Sequence, residues 1–311
     1  MMKTTRRNFV IPAVGLAAVP HALSHEPKMP KVTLPDCNIN MSKLGFGTGT
    51  IGWLTKNARW AKNNPKRKKL MEDIDAIDMF HKCYERGINF FDLADGYGTH
   101  GFCKEALKDI PRDKVALMTK FWWGDAVKES KRSEWLNATA KLSISDRKKY
   151  VKKDIERFLK ELNTDYIDMM LIHLIFDREW IEPMKPYMEV LTEYKDKGII
   201  KSLGVSCHDY GAMETAVESS WVDVLLARIN PYGVKCDGSA DEVLKVLKLG
   251  KKNRKFIIGM KIYGDGQLSE ERDKCMRFAQ NSEVLDAMTI GMNSVEQIDD
   301  NLKLFKKYTN S

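Results

Sequence analysis

The chain has 311 residues, 43% of them hydrophobic and 30% charged, which suits a soluble globular protein and excludes a disordered tract or a bundle of membrane spans. The formal net charge of +8 raises the question of nucleic acid, but the excess gathers at Lys3, Arg6 and Arg7 and in the run "KNNPKRKK" from Lys62 to Lys69. That run reads as a solvated loop ahead of a helix, so nucleic acid is not an expected partner.

In chain order, "TTRRNFVIPAVGLAAVPHALS" has the basic start, apolar middle and small-residue end of an export signal. The adjacent Arg6 and Arg7 resemble the twin-arginine class, which implies the twin-arginine export machinery as a partner and a periplasmic or other extracytoplasmic location. Residues 1–24 are assigned to the signal, with a cleavage site at Ala22 to Ser24, and residues 25–311 to a single domain. An uncleaved anchor helix is the alternative, but Pro12 and Pro20 break it and its apolar run is short. No later apolar run is long enough to span a bilayer, so no stable membrane insertion is expected.

Residues 28–43 read as a β-hairpin. From Leu44 onward, apolar runs at 44–47, 88–92, 115–119, 166–172, 200–205, 222–227, 256–260 and 287–290 read as strands. Amphipathic runs at 72–86, 101–109, 145–162, 183–197, 211–219, 240–249, 270–281 and 295–308 read as the helices between and after them, the third opening on Ser145. Eight βα repeats in a domain of about 250 residues or more predict a (β/α)8 barrel of the α/β class with a hairpin before it. An open doubly wound sheet is the alternative. It needs G-x-G-x-x-G in its first turn, whereas "LGFGTGTIG" lacks that spacing and has no helix expected after it. Cys37, Cys83, Cys103, Cys207, Cys236 and Cys275 form no C-x-x-C pair, so no metal site is expected.

Catalytic groups of such barrels stand at the carboxyl ends of the strands. There the sequence has Asp92 with Tyr97 five residues on, Lys120 and His173. Singly, each has an innocent explanation as a turn former, a structural histidine or a solvated charge. Together they specify a chemistry. A phenol is a poor acid, but an adjacent ammonium stabilises the phenolate left behind and makes it a usable proton donor. Lys120 supplies the ammonium, Asp92 holds it, and His173 orients a substrate oxygen. The set suits protonation of a carbonyl that receives hydride.

At these residues the sequence resembles the aldo-keto reductase family. "GINFFDLADGYG" is similar to its F-D-T-A-x-x-Y-G stretch, "MTK" to its lysine strand, "LNTDYIDMMLIH" to its L-x-x-D-Y-[IV]-D-x-x-x-x-H block, and "KSLGVSCHD" to its G-V-S-N segment. The resemblance implies a tetrad of Asp92, Tyr97, Lys120 and His173 and reduction of an aldehyde or ketone, or oxidation of an alcohol or sugar, with NADP or NAD. It implies cofactor contacts from Gly47 and Thr48, from Ser206, Cys207 and His208, and from Arg228, Met260 and Lys261. Gly264, Gly266 and Leu268 would lie along the pyrophosphate, with Asn293, Ser294, Gln297, Asp300 and Asn301 at the adenosine end. The chain departs from the family at Cys207, where Asn is usual, at Leu226, where Gln is usual, and at Met260 and Lys261, where an aromatic residue is usual. "GMNSVEQIDDN" carries no Lys or Arg for a 2′-phosphate, which leaves NAD and NADP both open. Trp53, Trp122 and Trp123 are expected to wall a pocket for a small carbonyl or sugar substrate, with 124–145 as a lid or a surface insertion. The alternative function is an exported barrel with weakened cofactor binding that serves as a binding or scaffold protein.

Overall fold

The computed structural model describes residues 29–34, 40–124 and 134–309. The expected export signal and its expected cleavage site, Cys37 and the middle of the 124–145 segment lie outside the described residues. The hairpin strands β1 (Lys31–Thr33) and β2 (Asn40–Ser42) precede β3 (Leu44–Gly47), the short helices α1 (Gly49–Leu54) and α2 (Arg59–Lys62), α3 (Asp73–Glu85) and β4 (Phe90–Asp92). Then come α4 (His100–Ala106), β5 (Ala116–Phe121), α5 (Trp135–Lys141), α6 (Ile144–Leu162), β6 (Ile167–Ile175) and α7 (Ile181–Asp196). The chain continues through β7 (Ile200–Cys207), α8 (Tyr210–Glu218), β8 (Val224–Arg228), α9 (Ala240–Lys252), β9 (Phe256–Met260), α10 (Arg272–Asn281), β10 (Ala287–Gly291) and α11 (Val295–Thr309).

Strands β3 to β10 pair in parallel in sequence order, and β10 pairs back onto β3, so the sheet is a closed barrel. This is the (β/α)8 barrel expected, and the open doubly wound alternative is excluded because the two edges meet. Helices wrap the outside with one apolar face each; α6 buries Val151, Ile155, Phe158 and Leu162, the helical spacing that laid it against the sheet.

Local details differ from the expectation. Helix α1 begins at Gly49, inside "LGFGTGTIG", where no helix was expected; six residues are too few for a periodic signal, and buried Ile51 and Gly52 hold it by tertiary contact. Helix α6 is capped by Ser143, whose hydroxyl accepts from the Asp146 amide at 3.0 Å, so it starts ahead of Ser145. Strand β6 runs past His173 to Ile175 through a register shift, with Leu174 in the left-handed region at φ 60°.

Side chains alternate across each strand, which separates two cores. Phe90, Ala116, Met118, Met169, Leu171, Val224, Leu226, Phe256, Ile258 and Ala287 fill the barrel interior, whereas Phe91, Leu117, Phe121, Met170, Ile172, Val205 and Ile257 face the helices. The hairpin closes the bottom. Leu34 beside β1 and Met41 of β2 join the interior cluster, both fully buried. Leu34→Ala is therefore expected to cost about 2–5 kcal/mol of stability by opening a cavity in that floor. Urea unfolding measures it, and a loss below about 1 kcal/mol would mean that Leu34 does not seal the barrel.

Candidate active site

The same alternation carries the interior series upward to the mouth. Asp92 lies two residues beyond Phe90, Lys120 two beyond Met118, and His173 two beyond Leu171. All three are buried side chains in one upper layer, with relative exposures of 5%, 0% and 3%. The neighbouring strands contribute Gly47, Ser206, Met260 and Gly291, so that layer is crowded with charge on one side and small or apolar on the other.

The Lys120 ammonium donates to a carboxylate oxygen of Asp92 and to the Leu93 carbonyl at 2.8 Å, and lies 3.5 Å from the Tyr97 hydroxyl. Burial pulls the Lys120 pKa down, but the Asp92 carboxylate and the neighbouring Tyr97 oxygen outweigh it and the net direction is up, so the amine is an ammonium. His173 goes the other way. Burial first, then the Lys120 charge, holds its pKa well below the ordinary 6.5, so the imidazole is neutral. Its ring stands edge-on to Tyr97 at 5.8 Å, and its buried Nδ1 has no hydrogen-bond partner among the described residues. A buried, unpaired ring nitrogen beside a phenol is suited to an incoming oxygen.

Tyr97 is the member not on a strand, and the turn that carries it is tightly fixed. It ends the single 3-10 turn Asp95–Tyr97. The Asp95 carboxylate accepts from Arg59 at 2.8 Å and Arg157 at 2.9 Å, which anchors the turn to α2 and α6. Gly98 has φ +66°, and a Cβ there would meet the Asn57 carbonyl. A Cβ on Gly52 would lie 2.1 Å from the Tyr97 carbonyl oxygen, so α1 can pack on this turn only through glycine.

Beside the quartet opens a cleft of about 430 Å³, lined by Asp92 and Tyr97 and, among the expected cofactor residues, by Gly47, Met260, Lys261, Gly266, Asn293 and Gln297. Trp53 also lines it, as do Gly49, Thr50, Tyr263, Thr289 and Gly291, which the sequence did not single out. Their signal was available: Thr289 and Gly291 continue the interior alternation of β10. Thr289 Oγ1 is another buried polar atom without a partner among the described residues. A cleft with glycine backbone at Gly47, Gly49, Gly266 and Gly291, polar at Asn293 and Gln297, has the lining a dinucleotide needs.

Other expected contacts are placed elsewhere. Thr48 is fully buried and bonds the Asp92 carbonyl at 2.9 Å, tying two strand ends together. Cys207, one residue past inward-facing Ser206, points outward into the helix-side core. The Ser206 hydroxyl is 3.3 Å from His208, whose ring faces His173 and Phe176 rather than the cleft. Arg228 is neutralised by the buried Asp237 carboxylate. Gly264 is buried, and Leu268 packs against the outer core. Ser294 accepts from the Gln297 amide at the start of α11, Asn301 is buried and accepts from Tyr263 at 2.8 Å, and Asp300 is exposed, 3.4 Å from Arg272. Arg272, from α10, is a cation at this end that no local sequence pattern marked.

The tryptophans divide as alternation dictates. Trp122 packs on His173 at 6.0 Å. Trp123, the next residue, is 1% exposed in the outer core and donates to the His173 carbonyl at 2.7 Å, so it fixes the β6 irregularity and does not wall the cleft. Trp60, not anticipated, stacks on Trp53 at 6.3 Å and meets Trp122 at 6.2 Å.

The family model described as "Aldo/keto reductase family" matches residues 43–275 of this chain. The chain belongs to the aldo-keto reductase family. It is 26% identical over 210 residues, 64% of its length, to the NADH-specific methylglyoxal reductase of Escherichia coli (strain K12). It is 27% identical over 194 residues, 60% of its length, to aldo-keto reductase YhdN of Bacillus subtilis (strain 168). The matched stretches span 59% and 50% of those two relatives. In fold it is similar to the holo form of aldo-keto reductase AKR11C1 from Bacillus halodurans, with a TM-score of 0.64 and 18% identity, covering 91% of this chain and 94% of that one.

The neutral His173 gives a pH signature. Below 6.5 the unfolded chain binds a proton that the native chain refuses, so native stability falls as pH drops, by at most about 1.4 kcal/mol per pH unit from this group. His173→Gln is expected to remove that part of the slope between about pH 6.5 and pH 5 in urea unfolding. Equal slopes for parent and variant would contradict a neutral buried imidazole.

Proposed function

We propose that the protein interconverts a carbonyl and an alcohol, with Tyr97 passing the proton to or from the substrate oxygen. The observation that carries this reading is the buried ammonium of Lys120, which bonds Asp92 and the Leu93 carbonyl and faces the Tyr97 hydroxyl at the edge of a dinucleotide-sized cleft. Bound in that cleft, NADH or NADPH supplies the hydride. In reduction the Tyr97 hydroxyl donates to the carbonyl oxygen, and the ammonium stabilises the charge left on the phenol oxygen. His173, neutral, hydrogen-bonds the same oxygen and turns the carbonyl toward the phenol. Trp122 covers His173 from the side and excludes water.

NADH is proposed to serve at least as well as NADPH. Asn293, Ser294 and Gln297 carry no charge, and the nearby cation Arg272 faces Asp300. The name of the Escherichia coli relative as NADH-specific supports the same choice. Export by the twin-arginine route is proposed from Arg6 and Arg7 and the apolar run after them, and replacing both arginines by lysine should keep the protein in the cytoplasm on cell fractionation.

Tyr97→Phe is expected to lower carbonyl reduction by about 10²- to 10⁴-fold while NADH still quenches tryptophan fluorescence. Turnover near the parent rate would remove Tyr97 from its role. Lys120→Met should lose comparable activity and also about 3–5 kcal/mol of stability, because it leaves the Asp92 carboxylate buried without its cation. Activity is followed by dinucleotide absorbance and stability by urea unfolding.

A further inference from the structure

The basic run Lys62–Lys69 is not consumed by the proposed chemistry, yet it lies against the mouth of the cleft. The Leu70 amide donates to the Leu54 carbonyl at 2.7 Å, which returns the run to the end of α1. Arg67 then lays its guanidinium over the Trp53 ring, 4.2 Å from the centroid, and Trp53 lines the cleft with Tyr97. Lys69 pairs with Glu72 and Asp73, but Lys62, Lys66, Arg67 and Lys68 have no acidic partner among the described residues. The guanidinium is held in place by stacking while its N–H donors have no partner among the described residues. That arrangement positions a fork for an oxyanion.

Between this fork and the quartet runs an unbroken set of rings. Trp53 stacks on Trp60 with 17° between planes, Trp60 meets Trp122 edge-on, and Trp122 meets His173 edge-on. Trp60 is 41% exposed, so the ring series is open to solvent beside Trp53 and offers a flat apolar face to a ligand.

We propose that Arg67 is a specificity-determining residue and that the substrate is an amphipathic anion, with its carbonyl at Tyr97 and His173, a flat apolar body along Trp122, Trp60 and Trp53, and a carboxylate or phosphate at Arg67. This rests on the carbonyl chemistry proposed above for the location of the reacting end. The anion end is set by geometry: the fork stands at the outer end of the ring series, so a compound too short to reach it gains nothing from its charge.

The test uses the full-length protein and matched aryl aldehydes: a biphenyl aldehyde with a terminal carboxylate, its phosphonate counterpart and its neutral carboxamide twin. Binding is read by tryptophan fluorescence and turnover by NADH oxidation. Both anions are expected to bind roughly fivefold more tightly than the carboxamide at low ionic strength, because the fork is solvent-exposed. The preference should shrink with added salt. The carboxylate-to-phosphonate ratio identifies which anion the fork prefers. Arg67→Met should bring the anion-to-carboxamide ratio close to one, and Arg67→Lys should restore part of it. Preferential anion binding without turnover would overturn the proposed function and leave this inference standing. Turnover with equal affinity for the three compounds overturns the inference alone, as does a ratio that Arg67→Met leaves unchanged. An effect of the basic run confined to sedimentation with phosphatidylglycerol vesicles also overturns it.

Discussion

A cation buried inside a closed barrel constrains everything around it. Lys120 has no access to water, and an isolated ammonium in that position would be too costly to keep charged. Asp92 makes it tenable, and Asp92 is available because β4 and β5 are paired with Asp92 opposite Met118, which leaves Lys120, two residues further along β5 and on the same face, within reach of the carboxylate. A slip of one residue in either strand would turn one partner to the helix side and leave the other uncompensated. The barrel's register and the protonation state of the site are thus a single constraint.

The same charge then sets the rest of the site. It reinforces burial in keeping His173 neutral, so the two bases of the layer are driven in opposite directions, one to an ammonium and one to a free imidazole. A neutral ring can both accept and donate, which a protonated one cannot. Behind His173, the indole of Trp123 holds the carbonyl of the irregular stretch that lets β6 continue beyond the layer of Asp92, Lys120 and His173. The quartet is therefore built from strand alternation, one ion pair and one indole hydrogen bond.

How far this was legible in the sequence follows from the same physics. Apolar runs are a local property, so the eight strands were visible from them and Asp92, Lys120 and His173 as the titratable residues at their carboxyl ends; alternation with period two is the reason those residues turn inward. Applied one residue further, the rule also turns Cys207 and Trp123 outward, against the roles expected for them. What alternation cannot carry is anything decided by loops or by helices meeting across space. Helix α1 is too short to have a period, Trp60 reaches the site through a stack with Trp53, and Arg272 reaches Asp300 from a different helix. For the same reason the expected adenosine end read from one segment as lacking a cation, whereas the fold brings Arg272 from α10 to Asp300.

Chemistry and selectivity are accordingly held by different kinds of structure. Asp92, Lys120 and His173 stand on strands whose neighbours fix them on both sides, so a change there disturbs the barrel as well as the reaction. The ring wall and the basic run stand on the segments that follow β3 and β5, outside the barrel strands. Tyr97 is the junction. It is chemically part of the quartet but rides on a loop, and its position relies on the paired arginines on Asp95 and on glycines at 52 and 98 that admit its backbone. Loop variation in this fold is free to alter what enters the cleft only as long as those anchors are kept, because the phenol is the one member of the quartet that no barrel strand carries.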